Sequence, residues 1–174
     1  MTKFLTKAAL AATVATGLFA APAMAAPAGN ADFTAKAKIV KPVTIANQTD
    51  LDFGTVTMNT SLISEKVTVA DGAASVAVCG STQLTCSGVS GSADFLVSGG
   101  VANQAIVLSY NAPPSVLTHS NGTNSVGFTL DAIENITLSA TGTGSFSVGG
   151  EITVVTATID GDYSAIVNVV ANYL

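Results

Sequence analysis

The chain of 174 residues carries eleven carboxylates, six lysines and no arginine, which gives a formal charge of −5. A surface this poor in cations cannot neutralise phosphates, so nucleic-acid binding is excluded and binding to anionic membranes is disfavoured. The length is typical of a single domain. Many glycines and β-branched residues, with no Trp and no long helical pattern, predict an all-β protein.

The first 25 residues have the pattern of a secretory signal peptide. Lys3 and Lys7 precede an apolar run over residues 8–19, and small residues surround Ala25. The run is shorter than the ~20 residues that span a bilayer, so we expect neither a membrane anchor nor direct membrane insertion. We therefore expect cleavage after Ala25, one mature domain over residues 26–174 with a formal charge of −7, and export through the periplasm to the cell surface or the extracellular space.

The first strand-like pattern lies near the start of this mature domain. Its apolar residues alternate with Thr and Lys, and this period of two is typical of a half-buried strand. The apolar members are Phe33, Ala35, Ala37 and Ile39.

Short strands separated by turns are predicted along the rest of the chain. Gly54 indicates a bulge or a close backbone approach, and Asp71-Gly72 predicts a turn. Strands are predicted at residues 43–45, 51–56, 65–69, 75–78, 94–97, 104–110, 126–130, 136–140 and 145–148.

Two cysteines, Cys79 and Cys86, flank six loop-like residues. In an exported chain an even number of cysteines predicts a disulfide. The spacing is not that of a CxxC redox motif, and His119 is too distant to complete a zinc site. We expect a structural disulfide.

Turn signals organise the C-terminal part of the chain. Residues 111–124, which contain Pro113-Pro114 and Asn121-Gly122, are predicted to be the longest loop. Gly149-Gly150 predicts a two-residue hairpin. Asp160-Gly161-Asp162 predicts a turn into one long terminal strand over residues 163–173. Together the ten to twelve short strands predict an antiparallel, immunoglobulin-like β-sandwich, with a small β-barrel as the alternative.

The sequence shows no arrangement of residues typical of an active site. The only histidine, His119, falls in the predicted loop and is expected to be solvated. The pairs Asp50 with Asp52 and Asp160 with Asp162 supply too few oxygens for calcium, so we expect polar turns. We predict no catalytic residue, no cofactor, no metal site and no enzyme activity.

The C-terminal end resembles the subunits of chaperone–usher pili. Those subunits end in an alternating apolar strand, with tyrosine next to last and glycine fourteen residues from the end; here these are Tyr173 and Gly161. The chain departs from common pilins in its cysteines, because their disulfide usually ties the first two strands, whereas Cys79 and Cys86 lie close together in mid-chain.

A second resemblance covers most of the mature chain. Leu51-Asp52-Phe53-Gly54, the flanks of Gly149-Gly150, and Gly161-Asp162-Tyr163 resemble a secreted proteobacterial family, domain of unknown function 4402. That resemblance implies an exported β-domain and supplies no established activity.

The pilin resemblance implies a structural subunit of a fimbrial surface fibre that assembles by β-strand addition between copies. It also implies a periplasmic chaperone and an outer-membrane usher as partners. The Phe33–Ile39 pattern is then a candidate donor strand; the alternative is that it is the chain's own first strand, paired within its own sheet. The candidate C-terminal assembly strand comprises Gly161, Tyr163, Val167, Val169 and Tyr173. The alternative function is a self-contained exported sandwich that binds a ligand through residues 111–124.

Overall fold

The computed structural model describes residues 29–59 and 63–174. The predicted signal peptide, residues 1–25, lies outside this part of the chain. The chain divides into two units after Ala37. Of the first unit, residues 29–37 are exposed and form no strand.

In the second unit, Lys38–Leu174, the described residues form fourteen short strands. The described ranges contain no helix of the length and apolar character needed to cross a membrane. The strands are β1 (Thr44–Thr49), β2 (Thr55–Met58), β3 (Ser64–Val69), β4 (Ala77–Cys79), β5 (Leu84–Ser87), β6 (Ala93–Ser98), β7 (Ala105–Tyr110), β8 (Val116–His119), β9 (Ser125–Leu130), β10 (Ile136–Thr137), β11 (Gly144–Val148), β12 (Gly150–Val155), β13 (Tyr163–Ser164) and β14 (Val169–Tyr173).

The strands form four antiparallel sheets. The largest has the order β13-β8-β9-β12-β3-β4, two three-stranded sheets have the orders β1-β6-β11 and β10-β7-β14, and β2 pairs with β5. None of these sheets closes on itself. The prediction of an antiparallel all-β sandwich is therefore confirmed.

Alternation along the strands explains why the sheets pack face to face. Strand β9 buries Val126 and Phe128 and exposes Ser125 and Gly127. Successive side chains of a strand point to opposite faces, so one face enters the core and the other meets solvent. Strand β12 likewise buries every second residue over most of its length.

The buried apolar side chains form two clusters rather than one. The first cluster contains Phe53, Val67, Val69, Leu84, Phe128, Ile152 and Val154. The second contains Ala93, Val97, Ile106, Leu108, Leu138, Phe146 and Val148. A domain of this size usually has one contiguous core, so the separation of the buried apolar side chains into two clusters is unusual.

The predicted hairpin at Gly149-Gly150 is wrong. Strand β11 pairs with β6, whereas β12 pairs with β3 and β9 in a different sheet. The chain therefore changes sheets at Gly149, where an added Cβ would lie 2.3 Å from the Val69 carbonyl oxygen. Phe146 and Val148 of β11 are buried in the second cluster, whereas Ile152 and Val154 of β12 are buried in the first, and Gly149 between the two strands is itself buried.

The predicted terminal strand over residues 163–173 is two strands. Strand β13 pairs with β8, and β14 pairs with β7 in another sheet. Residues 165–168 lie between them outside any strand. At the other end, the strand predicted from Phe33 to Ile39 is absent, and β1 begins at Thr44.

The predicted loop over residues 111–124 contains strand β8, and His119 at its end is only 9% exposed. The expectation of a solvated loop histidine is therefore wrong.

The predicted strand over residues 51–56 begins only at Thr55. Gly54 has a φ of 69° and lies so close to the chain that a Cβ would be 2.6 Å from the Ser87 carbonyl oxygen. A close backbone approach was predicted at this glycine, and the structure confirms it.

Candidate functional site

The second unit contains a groove with a volume of about 980 Å³. Residues of strands β6, β8, β9, β11 and β12 line it, together with Asn47, residues 50–56, Met58 and several residues between 158 and 169. Protein interiors leave few voids larger than a water molecule. The groove is therefore far larger than a packing defect, and its volume lies at the upper end of the range of ligand pockets, about 300–1,000 Å³.

Apolar side chains supply much of the groove lining. Phe53 and Phe128 meet edge to face, with ring centroids 6.2 Å apart. Met58 from β2 and Ile152 and Val154 from β12 also line the groove. An apolar lining of this size favours an occupant that brings large apolar side chains of its own.

The groove lies at the division between the two core clusters. Its lining includes Phe128 and Ile152 of the first cluster and Ala93 and Val148 of the second. Leu51, which also lines the groove, packs against both clusters. The groove thus lies where side chains of the two clusters come together.

Four exposed carboxylates also line the groove. Asp50 accepts a hydrogen bond from the Asn47 side chain, and Asp52 accepts one from the Gly54 amide at 2.7 Å. The other two are Asp160 and Asp162, whose carboxylates make no hydrogen bond or ion pair within the described ranges.

His119 holds the segment that carries Asp160 and Asp162 against the end of β8. Its Nδ1 accepts a hydrogen bond from the Asn121 amide at 2.9 Å, so Nε2 carries the proton and donates to the Asp160 carbonyl oxygen at 3.0 Å. The Ser120 amide donates to the Asp162 carbonyl oxygen at 2.9 Å. These contacts use only the backbone of the two aspartates and leave their carboxylates at the groove.

The disulfide predicted between Cys79 and Cys86 is present and supports the groove. It joins β4, at the edge of the largest sheet, to β5. Strand β5 pairs with β2, placing Cys86 opposite Val56 and Leu84 opposite Met58. Val56 and Met58 line the groove, so the bridge fixes the strand pair that carries them.

The predicted assembly residues are only partly brought together. Gly161, Tyr163, Val167 and Val169 line the groove. Tyr173 lies elsewhere; its hydroxyl donates to the Lys41 carbonyl oxygen at 2.8 Å and accepts from the Val101 amide at 3.0 Å.

The candidate donor residues are exposed and belong to no strand. Phe33 is 90% exposed and Ile39 is 95% exposed; Ala35 and Ala37 are also exposed. Met58, Phe128, Ile152 and Val154 also line the groove and were not predicted as site residues. No local pattern distinguishes them, because the same alternation builds every core strand.

A separate acidic group lies near the Gly149 crossing. Burial, followed by the charges of Asp71 and Glu151, raises the pKa of the Asp131 carboxyl. Burial and the Asp131 charge also raise the pKa of Tyr110 to about 12, and the Tyr110 hydroxyl donates to the Asp131 carbonyl oxygen at 2.6 Å. Within the described ranges, no group of three or more His, Cys, Asp or Glu side chains could hold a metal ion.

Comparison with known proteins identifies the family and little else. No curated protein and no solved structure matches the chain. The family described as Domain of unknown function (DUF4402) matches residues 43–173, about three quarters of the chain. This range contains all fourteen strands and every residue that lines the groove. The chain therefore belongs to the family of domain of unknown function 4402.

Proposed function

We propose that this protein is a non-catalytic structural subunit of an exported surface fibre, and that its copies join by strand addition. The segment around residues 33–39 of one copy enters the groove of the next. The observation that carries the proposal is the apolar groove of about 980 Å³ in a chain that also carries an alternating apolar segment outside any strand.

The segment and the groove have matching chemistry. A seven-residue strand is roughly 20 Å long and turns alternate side chains to one face. Phe33, Ala35, Ala37 and Ile39 share that face. Burying Phe33 and Ile39 stabilises the joined state by about 1.5–3 kcal/mol each, and the two alanines need only shallow pockets.

The groove also adjoins backbone that can pair with an added strand. Strand β1 lies at the edge of its sheet, and its Asn47 lines the groove. Residues 165–167 line the groove and belong to no strand. In strand addition, the backbone hydrogen bonds supply affinity and the pockets for alternate side chains supply specificity.

Export is the setting that fits this assembly. A disulfide between Cys79 and Cys86 is stable in an oxidising compartment outside the cytoplasm. A periplasmic chaperone would cover the groove before assembly, and an outer-membrane usher would guide the exchange of chaperone for the next subunit.

The proposal is tested by removing the entering segment from the chain that begins at Ala26. We expect the full chain to form ladders that resist mild detergent, and the chain lacking residues 26–38 to remain a monomer in size-exclusion chromatography. Unchanged ladders from the truncated chain would refute the proposal.

Point variants separate the apolar face from the rest of the segment. Phe33→Asn and Ile39→Asn should each reduce the fraction of chain in ladders severalfold, because each removes an anchoring side chain. Thr34→Asn is the matched control on the opposite face and should leave the ladders unchanged. Equal effects of Phe33→Asn and Thr34→Asn, or a wild-type chain that is a stable monomer at all concentrations, would favour a self-contained sandwich.

A further inference from the structure

The charges of the mature chain are strongly separated along its length. Residues 26–42 contain three lysines and one aspartate, a formal charge of +2. Residues 43–174 contain ten carboxylates and one lysine, a formal charge of −9. That one lysine, Lys66, is paired with Glu151 at 2.7 Å. The lysines of the mature chain other than Lys66 therefore all lie in or next to the segment proposed to enter the groove.

The groove carries the opposite charge. Asp50, Asp52, Asp160 and Asp162 all line it, and all four are exposed. Within the described ranges they do not form a set that could hold a metal ion. Four exposed carboxylates beside an apolar groove favour an occupant that is apolar on one face and cationic on the other.

The alternation of the segment provides such an occupant. When Phe33, Ala37 and Ile39 face the apolar lining, Lys36 and Lys38 point to the opposite side, toward the mouth of the groove. In the single chain, Lys38 Nζ donates to the Gln104 side chain at 2.5 Å, on the exposed surface. That surface bond can be exchanged for contact with a carboxylate of the next copy.

From these observations, and resting on the proposed strand addition, we infer that charge directs the docking between copies. Lys36 and Lys38 of the entering segment pair with the groove carboxylates of a second copy of this chain, Asp160 and Asp162 among them. The occupant is therefore recognised by two features at once, an apolar stripe and a row of ammonium groups.

Charge steering matters here because the copies otherwise repel one another. Each mature chain has a formal charge of −7. Complementary patches raise association rates by about 10- to 1,000-fold at low ionic strength, and salt removes this advantage. The screening length falls from ~30 Å at 0.01 M salt to ~3 Å at 1 M. Head-to-tail docking of a +2 segment onto a −9 body is therefore expected to be salt-dependent.

The inference is tested by measuring the assembly rate by light scattering at 20 mM and 500 mM NaCl, with the chain that begins at Ala26. The variant K36E/K38E reverses the segment charge and should assemble at least about tenfold more slowly at 20 mM NaCl, with a smaller difference at 500 mM. Adding D160K/D162K to that variant swaps the two charges, restores a net charge of −7 and should restore the wild-type rate.

A mock rescue provides the matched control. The variant K36E/K38E/E65K/E134K has the same net charge as the true swap, but Glu65 and Glu134 do not line the groove, so it should stay slow. Urea unfolding of each variant checks that the fold is intact.

Two outcomes overturn the inference while the proposed function stands. One is a wild-type assembly rate for K36E/K38E at both salt concentrations, and the other is a mock rescue that restores the rate as fully as the swap. A wild-type chain that never assembles, or a chain lacking residues 26–38 that assembles normally, overturns the proposed function and the inference with it.

Discussion

At the scale of single residues, the ionised carboxylate of Asp131 lowers the stability of the fold, because it is partly buried beside Asp71 and Glu151. Its carboxyl lies close to Gly149, with Oδ2 2.4 Å from the Cβ position of that glycine. Burial and the neighbouring charges of Asp71 and Glu151 raise its pKa above the usual value of 3.8. The folded chain therefore binds this proton at a higher pH than the unfolded chain does.

The sign of the pH dependence follows from that shift. Above the folded pKa the ionised carboxylate destabilises the fold, and stability increases as pH falls through that value. Asp131→Asn should therefore raise the urea midpoint at pH 7, and the gain should disappear as pH falls below 3.8. The backbone bonds of Asp131, to the Gly149 carbonyl oxygen and from the Tyr110 hydroxyl, are kept in this variant.

Glu134→Gln is the matched control for Asp131→Asn, because it removes one negative charge from an exposed side chain three residues away. It separates the local effect from the lower overall repulsion. An equal gain in urea midpoint for both variants, or a gain for Asp131→Asn that persists at pH 3, would contradict the account of Asp131.

At the scale of elements, the disulfide decides how firmly the small β2–β5 sheet is held. The Cys79–Cys86 bridge connects this sheet to β4. A bridge that closes a loop of this length stabilises by about 2.5 kcal/mol in the chain-entropy model. Cys79→Ser/Cys86→Ser should lower the free energy of unfolding by about that amount, measured by urea denaturation.

The wild-type chain unfolded in the presence of a strong reductant is the control for the disulfide, and it should match the double serine variant. The variant should also weaken assembly, because β2 carries Val56 and Met58 to the groove. An unfolding free energy that is unchanged in both the variant and the reduced wild type would show that the bridge does not support this part of the fold.

The elements also show where prediction from sequence reaches its limit. Strands such as β3, β7 and β9 were predicted near their observed positions, because alternation of apolar and polar residues is a local signal. Their partners were harder to predict. Gly149 has the sequence of a hairpin turn and is a crossing between sheets. In a two-residue hairpin at Gly149-Gly150, Val148 would lie opposite Glu151 on the same face, whereas the buried side chains of β12 are those of Ile152 and Val154.

The same limit applies to side chains placed by distant contacts. His119 was predicted to be solvated from its Pro- and Asn-rich neighbourhood, yet it packs edge to face on Tyr163 with ring centroids 4.9 Å apart. That contact depends on the pairing of β13 with β8 across some forty residues. No signal near His119 in the sequence indicates it.

At the scale of the whole molecule, the sequence indicates one of the two surfaces of the proposed assembly and not the other. The segment proposed to enter the groove was selected from its own alternation at Phe33, Ala35, Ala37 and Ile39, which is a local signal. The groove was not found, because residues far apart in the chain line it, from Asn47 to Val169. The predicted C-terminal residues Gly161 and Tyr163 do lie at the groove, while Tyr173 instead binds the Lys41 carbonyl oxygen.

The most direct measurement is a cross-link from the entering segment to the groove of another copy. A photoreactive benzoyl-phenylalanine replaces Phe33, nitrogen-15-labelled and unlabelled chains are mixed and assembled, and the cross-linked peptides are identified by mass spectrometry. We expect links between one labelled and one unlabelled chain that end at groove residues such as Met58, Phe128 or Ile152, and far fewer when the probe replaces Thr34. Links confined to single chains, or links between chains that end away from the groove, would contradict strand addition between copies.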